Sequence, residues 1–329
     1  MKSPFTGKEM KRTWEKRTWE FRGEQFEHMH TGWVCEDTGE RFTTDESDTA
    51  SYIQVTNQYR AKYGIPYTDE IIEIRNKYGL SAAKMSQLLG IGINQYRKYE
   101  QGEVPSVSNG RLIRSIMNPK VMLDMIESSK GELNELEYKK LTQRIDKIIE
   151  NNIDYKMQQY ETKRIFSSTR SIENGYANIS LKKLKNIMIA LLERSKDVWC
   201  TKMNKLLFYV DFLSYRERGM AMTGLTYRAI DYGPVPERWD KIYSQFDEIQ
   251  QELLHIGDYE GTILRSTTKI EEGVLTEEEL NIINMVCNKL GNCSSREISK
   301  ISHDESAWKN YHKQLERIPF SEAFNLVYL

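Results

Sequence analysis

The stretch 202–218 constrains this chain more than any other. Met203, Leu206, Leu207, Phe208, Val210, Phe212 and Leu213 make it apolar on nearly every side, and a helix of that kind belongs in the middle of a core. It needs neighbours to wrap it. The preceding segment supplies one, since Leu181, Leu184, Ile187, Met188, Leu191 and Leu192 stripe one helix face. Two more helices are opened by the capping boxes Thr276…Glu279 and Ser294…Glu297. Between them, 223–236 reads as extended chain and 237–248 as a helix. Residues 177–329 are therefore expected to form a mainly helical α+β domain with a little sheet.

A chain of 329 residues has room for more than one core. Residues 1–66 read as a small β-rich domain: KRTWE occurs twice in tandem at 11–20, and Gly7, Gly23, Gly32 and Gly39 punctuate the segments as turn residues. A shift of five on a strand turns Trp14 and Trp19 to opposite faces. From 67 to 130 the pattern is of short helices: one capped by Thr68 and stopped at Gly79, then 81–89, 93–101, and two near 107–117 and 119–127. Residues 131–176 read as a charged helical linker. There Leu141, Ile145, Ile148, Asn152 and Tyr155 follow a 4-3-4-3 spacing, open to two readings: a coiled-coil seam, or a linker helix packed on its neighbours.

Composition narrows the function. Charged residues make up 29% and the net charge is -1, so the chain is not coated in basic charge, though one small basic reading surface is compatible with that balance. The longest apolar run, Ile187 to Leu192, is far short of the ~20 residues of a membrane span. No apolar stretch follows Met1-Lys2-Ser3-Pro4, so a cytoplasmic location is expected. The four cysteines, Cys35, Cys200, Cys287 and Cys293, make no CxxC pair and read as buried thiols. No phosphate loop, nucleophile arrangement or metal cluster stands out, so no catalytic residue and no cofactor is assigned and a non-enzyme is expected. His303-Asp304-Glu305 reads as a helix start, capped by Ser302 or Asp304.

The segment from Leu80 through Gly90 has the layout of the first helix of a helix-turn-helix, with Gly90 at the sharp turn and Ile91 plugging the core behind it. On the next helix Tyr96 and Tyr99 share the buried face. That turns Asn94, Arg97, Lys98 and Gln101 outward, with Gln95 on the flank. Asn and Gln suit adenine, and Arg and Lys suit guanine or phosphate. Continued through Glu100-Gln101-Gly102 and Pro105, the pattern resembles the helix-turn-helix of the Xre/Cro-like repressors, with Ala82 where that family often carries a Gln. The resemblance implies operator DNA as a partner and a homodimer.

Ser3-Pro4-Phe5-Thr6-Gly7 and Cys35-Glu36-Asp37-Thr38-Gly39 share one turn grammar. They are similar to the two knuckles of the zinc ribbon at the N-terminus of MqsA-like antitoxins, in which all four ligand positions are Cys. Here those positions hold Ser3, Thr6, Cys35 and Thr38. Hydroxyls are poor zinc ligands, and His28 and His30 lie on one side of a strand away from the knuckles. No metal is expected, and Trp14, Trp19, Phe21, Phe26, Trp33 and Phe42 are expected to hold the ribbon by packing.

In the last domain, Lys205-Leu206-Leu207-Phe208-Tyr209-Val210-Asp211-Phe212, Thr223-Gly224-Leu225-Thr226-Tyr227-Arg228-Ala229, Tyr232-Gly233-Pro234-Val235-Pro236, and Glu297-Ile298-Ser299 followed by Ser302 to Trp308 occur in order. Together they resemble the SocA-like Panacea antitoxin domain over about 180–312. The resemblance implies neutralisation of a cognate toxin protein by direct binding. Each proline stiffens its loop, so Arg228, Asp231, Tyr232, Pro234, Pro236 and Trp239 are the expected toxin-contacting ledge. The other readings kept open are a linker role for that loop, a stand-alone transcriptional regulator with a sensory C-terminal domain, and a protease adaptor for a toxin.

Overall fold

A computed structural model describes residues 1–150, 166, 169–256 and 259–329. The chain divides into two compact units, one of residues 1–55 with 162–329 and one of residues 56–161. Secondary structure is mainly helical with three small antiparallel sheets among the described residues.

The first unit begins with a long hairpin, β1 (Lys11–Phe21) and β2 (Glu24–Val34), to which the short β3 (Arg41–Phe42) adds. The register pairs Arg17 with His28 and Glu15 with His30, so strand alternation puts these four side chains on one face. The β-rich expectation for 1–66 is corrected here. Helix α1 (Asp45–Tyr63) occupies 19 of those residues. Its buried side chains include Ser47, Ser51, Gln54, Thr56, Asn57 and Arg60, so it has no apolar stripe for a periodicity argument to find.

The same unit holds α8 (Leu181–Arg194) and α9 (Cys200–Arg218). Every residue from Lys202 to Tyr215 in α9 is buried, as its composition demanded. Around it lie the hairpin β4 (Tyr227–Ile230) and β5 (Gly233–Pro236), the hairpin β6 (Ile249–Ile256) and β7 (Tyr259–Ser266), and α11 (Glu277–Leu290) and α12 (Ser295–Asp304). Both capping boxes form at Thr276 and Ser294 as expected. The β1–β2 hairpin packs on this core: Arg12 makes a two-pronged pair with Glu217 at 2.6 and 3.1 Å, and the Arg216 guanidinium lies 5.3 Å over the Trp14 ring.

Two further expectations are corrected. The helix expected at 237–248 is only the single turn α10 (Trp239–Ile242) and a 3-10 turn. Arg238 starts it in the left-handed region and Phe246 is already extended, because the chain is turning into β6. His303 and Asp304 close α12 rather than open a helix. Glu305 then precedes the short α13 (Ser306–Lys309) without giving it a side-chain cap.

The second unit packs α2 (Thr68–Tyr78), α3 (Ala82–Leu88), α4 (Gln95–Glu100), α5 (Val107–Ser115), α6 (Pro119–Ser128) and α7 (Glu135–Glu150). One core joins Ile71, Tyr78, Met85, Leu88, Tyr96, Ile113, Met122 and Ile126. Tyr67, not Thr68, is the N-cap of α2. Leu141 and Ile145 are buried in this core with Ile148 packed against it, which accords with a helix packed on its neighbours. Asn152 and Tyr155 lie outside the described residues.

Candidate functional site

The second unit presents α3 and α4 as two short helices joined by a tight turn. Ser81 caps α3 by accepting from Lys84 N, and Gly90 takes a φ of +63°, a conformation that costs Gly little. Ser86, buried on α3, accepts from Tyr96 N at 3.0 Å and so locks the start of α4. Tyr96 Oη donates to Ile71 O at 2.8 Å, and Tyr99 Oη accepts from Asn109 at 2.8 Å. Arg75 and Glu100 pair at 2.5 Å. With both tyrosines buried, Asn94, Arg97, Lys98 and Gln101 are exposed on one surface, and Gln95 is half-buried. Gln95 donates to Glu103 at 2.7 Å, so part of its amide is already committed within the unit. Asn94 sits at the N-cap position rather than inside the helix, and Ile93 beside it is 84% exposed.

The C-terminal ledge is a two-residue turn. Ile230 pairs with Gly233, leaving Asp231 and Tyr232 at the tip. Asp231, Tyr232 and Trp239 are exposed, whereas Pro234 and Pro236 are buried within β5. Arg228 is exposed but occupied: it donates to Glu237 at 2.5 Å and to Leu315 O at 3.0 Å. Glu237 also accepts from Arg317 through two bonds of 3.0 Å and from Thr226. Burial works against ionisation there, but the Arg317 and Arg228 hydrogen bonds hold the Glu237 carboxyl below its ordinary range. Arg228 is thus a brace for the ledge.

Sequence reasoning missed what supports the tip. Trp308 Nε1 donates to Ile230 O at 2.7 Å, and its ring is flanked by His303 and His312 with centroids 4.2 and 4.1 Å away. His312 in turn contacts Asp231 at 2.9 Å. Below the turn, Lys205 is fully buried and its Nζ has no hydrogen-bond partner among the described residues. Gly233, at φ +97°, lies so close that an added Cβ would meet Lys205 Cε at 2.8 Å and Ser302 Oγ at 2.6 Å. A lysine among the apolar residues of 202–218 was the available signal.

The four knuckle positions do converge. Ser3 Oγ accepts from Phe5 N and Thr6 N, and Thr6 Oγ1 lies 3.7 Å from Cys35 Sγ. Hydrogen bonds from Ser3 and Thr38 bring the Cys35 thiol down to about 6, against the opposing effect of burial. Hydroxyl-to-sulfur contacts therefore link the segments around Ser3 and Cys35. Among the described residues no group of three or more His, Cys, Asp or Glu is placed to hold a metal ion. Treatment with a strong chelator is accordingly expected to leave the melting temperature unchanged within about 1 °C. A zinc-dependent structural site would instead lose several kcal/mol of stability.

Comparison with protein families places both segments. Residues 1–126 match the antitoxin component of the bacterial toxin-antitoxin system, MqsA. Residues 203–309 match the antitoxin SocA-like, Panacea domain. No curated protein and no solved structure matches the chain. The order of the two matches is the architecture that the knuckle, helix and ledge motifs implied. Along the chain, a segment that matches the MqsA antitoxin family is followed by one that matches the SocA-like Panacea domain.

Proposed function

We propose that this protein is a non-enzymatic, cytoplasmic antitoxin that neutralises a toxin protein by direct binding through its Panacea domain and represses its own operon as a homodimer through α3 and α4. The carrying observation is the joining of two antitoxin-type segments in one chain. The ledge supports the first half: Asp231 and Tyr232 stand exposed on a braced turn and Trp239 is exposed at the start of α10, and aromatic groups of this kind are common interface anchors. The exposed Asn94, Arg97, Lys98 and Gln101 support the second, with Arg and Lys for guanine or phosphate and the two amides for adenine edges. Gln95 contributes the part of its amide that Glu103 leaves free.

The test is co-expression of the full chain with the product of the adjacent gene, using wild type and an Asn94→Ala/Lys98→Ala double variant. The double variant is expected to rescue growth fully while binding the promoter of the operon at least 10-fold more weakly in gel-shift titrations. Loss of each contact costs about 1–3 kcal/mol for a base-edge bond. A non-toxic neighbour, or no rescue by wild type, would move the reading to a stand-alone regulator. Rescue that requires a cellular protease would move it to an adaptor.

A further inference from the structure

Two isoleucines flank Gly92 in the turn that leads into α4, and their surroundings differ. Ile91 is half-buried and packs against the core of the second unit. Ile93 is 84% exposed, more than any other large apolar side chain among the described residues. Gly92, at φ +82°, makes the turn between them.

Local structure does not account for an isoleucine at this place. Asn94 is the N-cap of α4, so Ile93 holds the position before the cap. An apolar residue there ordinarily packs on an apolar fourth residue of the helix. In α4 that residue is Lys98, exposed like Ile93, so the two make no apolar staple. The side chain is nevertheless held in place. The bond from Tyr96 N to Ser86 fixes the start of α4, and a branched Cβ leaves Ile93 few rotamers.

The neighbouring residues point to the occupant. Ile93 adjoins Asn94, and exposure continues along α4 through Arg97, Lys98 and Gln101. Two cations and two amides suit the phosphates and base edges of a duplex. An aliphatic side chain offers nothing to a phosphate or to a hydrogen-bonding base edge. In the major groove the bases also present an apolar group, the C5-methyl of thymine. Resting on the operator role proposed for α3 and α4, we propose that Ile93 is a specificity residue: it packs on a thymine methyl beside the base pair that Asn94 contacts. Uracil lacks that methyl and keeps every hydrogen-bonding group of thymine, so exchanging the two isolates the contact.

Gel-shift titration of the full chain at fixed salt tests this, using the duplex immediately upstream of its own gene with each thymine in turn replaced by uracil. Replacement of one thymine per half-site is expected to weaken wild-type binding about 4-fold, the effect of burying a single methyl group. Ile93→Ala should bind the thymine and uracil forms of that duplex equally. Lys98→Ala should weaken binding to both forms and keep the wild-type ratio between them, which separates a lost methyl contact from weak binding in general. A wild-type protein that binds no such duplex overturns the operator role and this assignment with it. Wild-type binding that is indifferent to every thymine methyl overturns this assignment alone. So does an Ile93→Ala variant that keeps the wild-type ratio; a weakened dimer in that variant would then make Ile93 a contact between subunits.

Discussion

Replacement of Asp211 by alanine is expected to destabilise the unit of residues 1–55 and 162–329 by about 3–5 kcal/mol, enough to leave much of it unfolded at 37 °C. Asp211 has no exposed surface and accepts four hydrogen bonds. Oδ1 takes Met222 N and Thr223 N, both at 2.8 Å, and Oδ2 takes Tyr227 Oη at 2.6 Å and the Thr223 hydroxyl. These bonds pin the loop after α9 and the first residue of β4, so they set where the β4–β5 ledge emerges. Alanine removes the acceptor and leaves the buried donors behind. Each unsatisfied donor costs about 1–3 kcal/mol, partly relieved by water entering the space. Thr223→Val, which keeps the carboxylate satisfied by three donors but also removes the acceptor of Leu225 N at 3.0 Å, is expected to cost about 1–3 kcal/mol, less than the alanine variant. Urea denaturation of the two variants measures the contrast, and equal midpoints for Asp211→Ala and wild type would contradict this account of the loop.

Asp211 also shows what a local pattern can and cannot announce. Its place in an apolar helix was plain from the string 205–212, and the burial of that helix followed from its composition. So did the burial of Tyr96 and Tyr99 and the outward facing of Asn94, Arg97, Lys98 and Gln101, because three-residue spacing on a helix fixes a face. The capping boxes at Thr276 and Ser294 were legible because they are contacts over three residues.

Contacts over long separations were not. The Arg12–Glu217 pair spans 205 positions, and nothing near Arg12 in sequence announces that residues 1–55 share a unit with 162–329. Helix α1 was invisible for another reason. It buries hydroxyls, amides and an arginine, and Arg60, only 2% exposed, donates to Pro66 O and Gly102 O rather than packing as an apolar side chain would. The proline-rich string 232–236 pointed to the ledge. Its prolines are buried in β5, however, and only the non-proline tip is accessible.

Lys205→Met, by contrast, is expected to stabilise the same unit by roughly 4 kcal/mol at pH 7, raising its melting temperature by roughly 10 °C. The comparison with Lys202, one turn earlier on α9, makes the reason clear. Both lysines are buried, but Lys202 Nζ donates to Lys196 O and Gly291 O, whereas Lys205 Nζ has no partner among the described residues. Burial alone takes Lys205 from 10.5 down to about 7. A lysine with a depressed folded-state pKa binds fewer protons folded than unfolded between those values. Its favourable contribution is therefore present above pH 10.5 and is lost as pH falls from there to about 7. Methionine is close in length, carries no charge and suits an apolar site. The gain over wild type should accordingly be largest at and below pH 7 and should shrink as pH rises toward 10.5. Melting curves across that range test both the size and the sign. A variant no more stable than wild type at pH 7, or a gain that does not shrink with rising pH, would mean that the Lys205 ammonium finds a partner in solution.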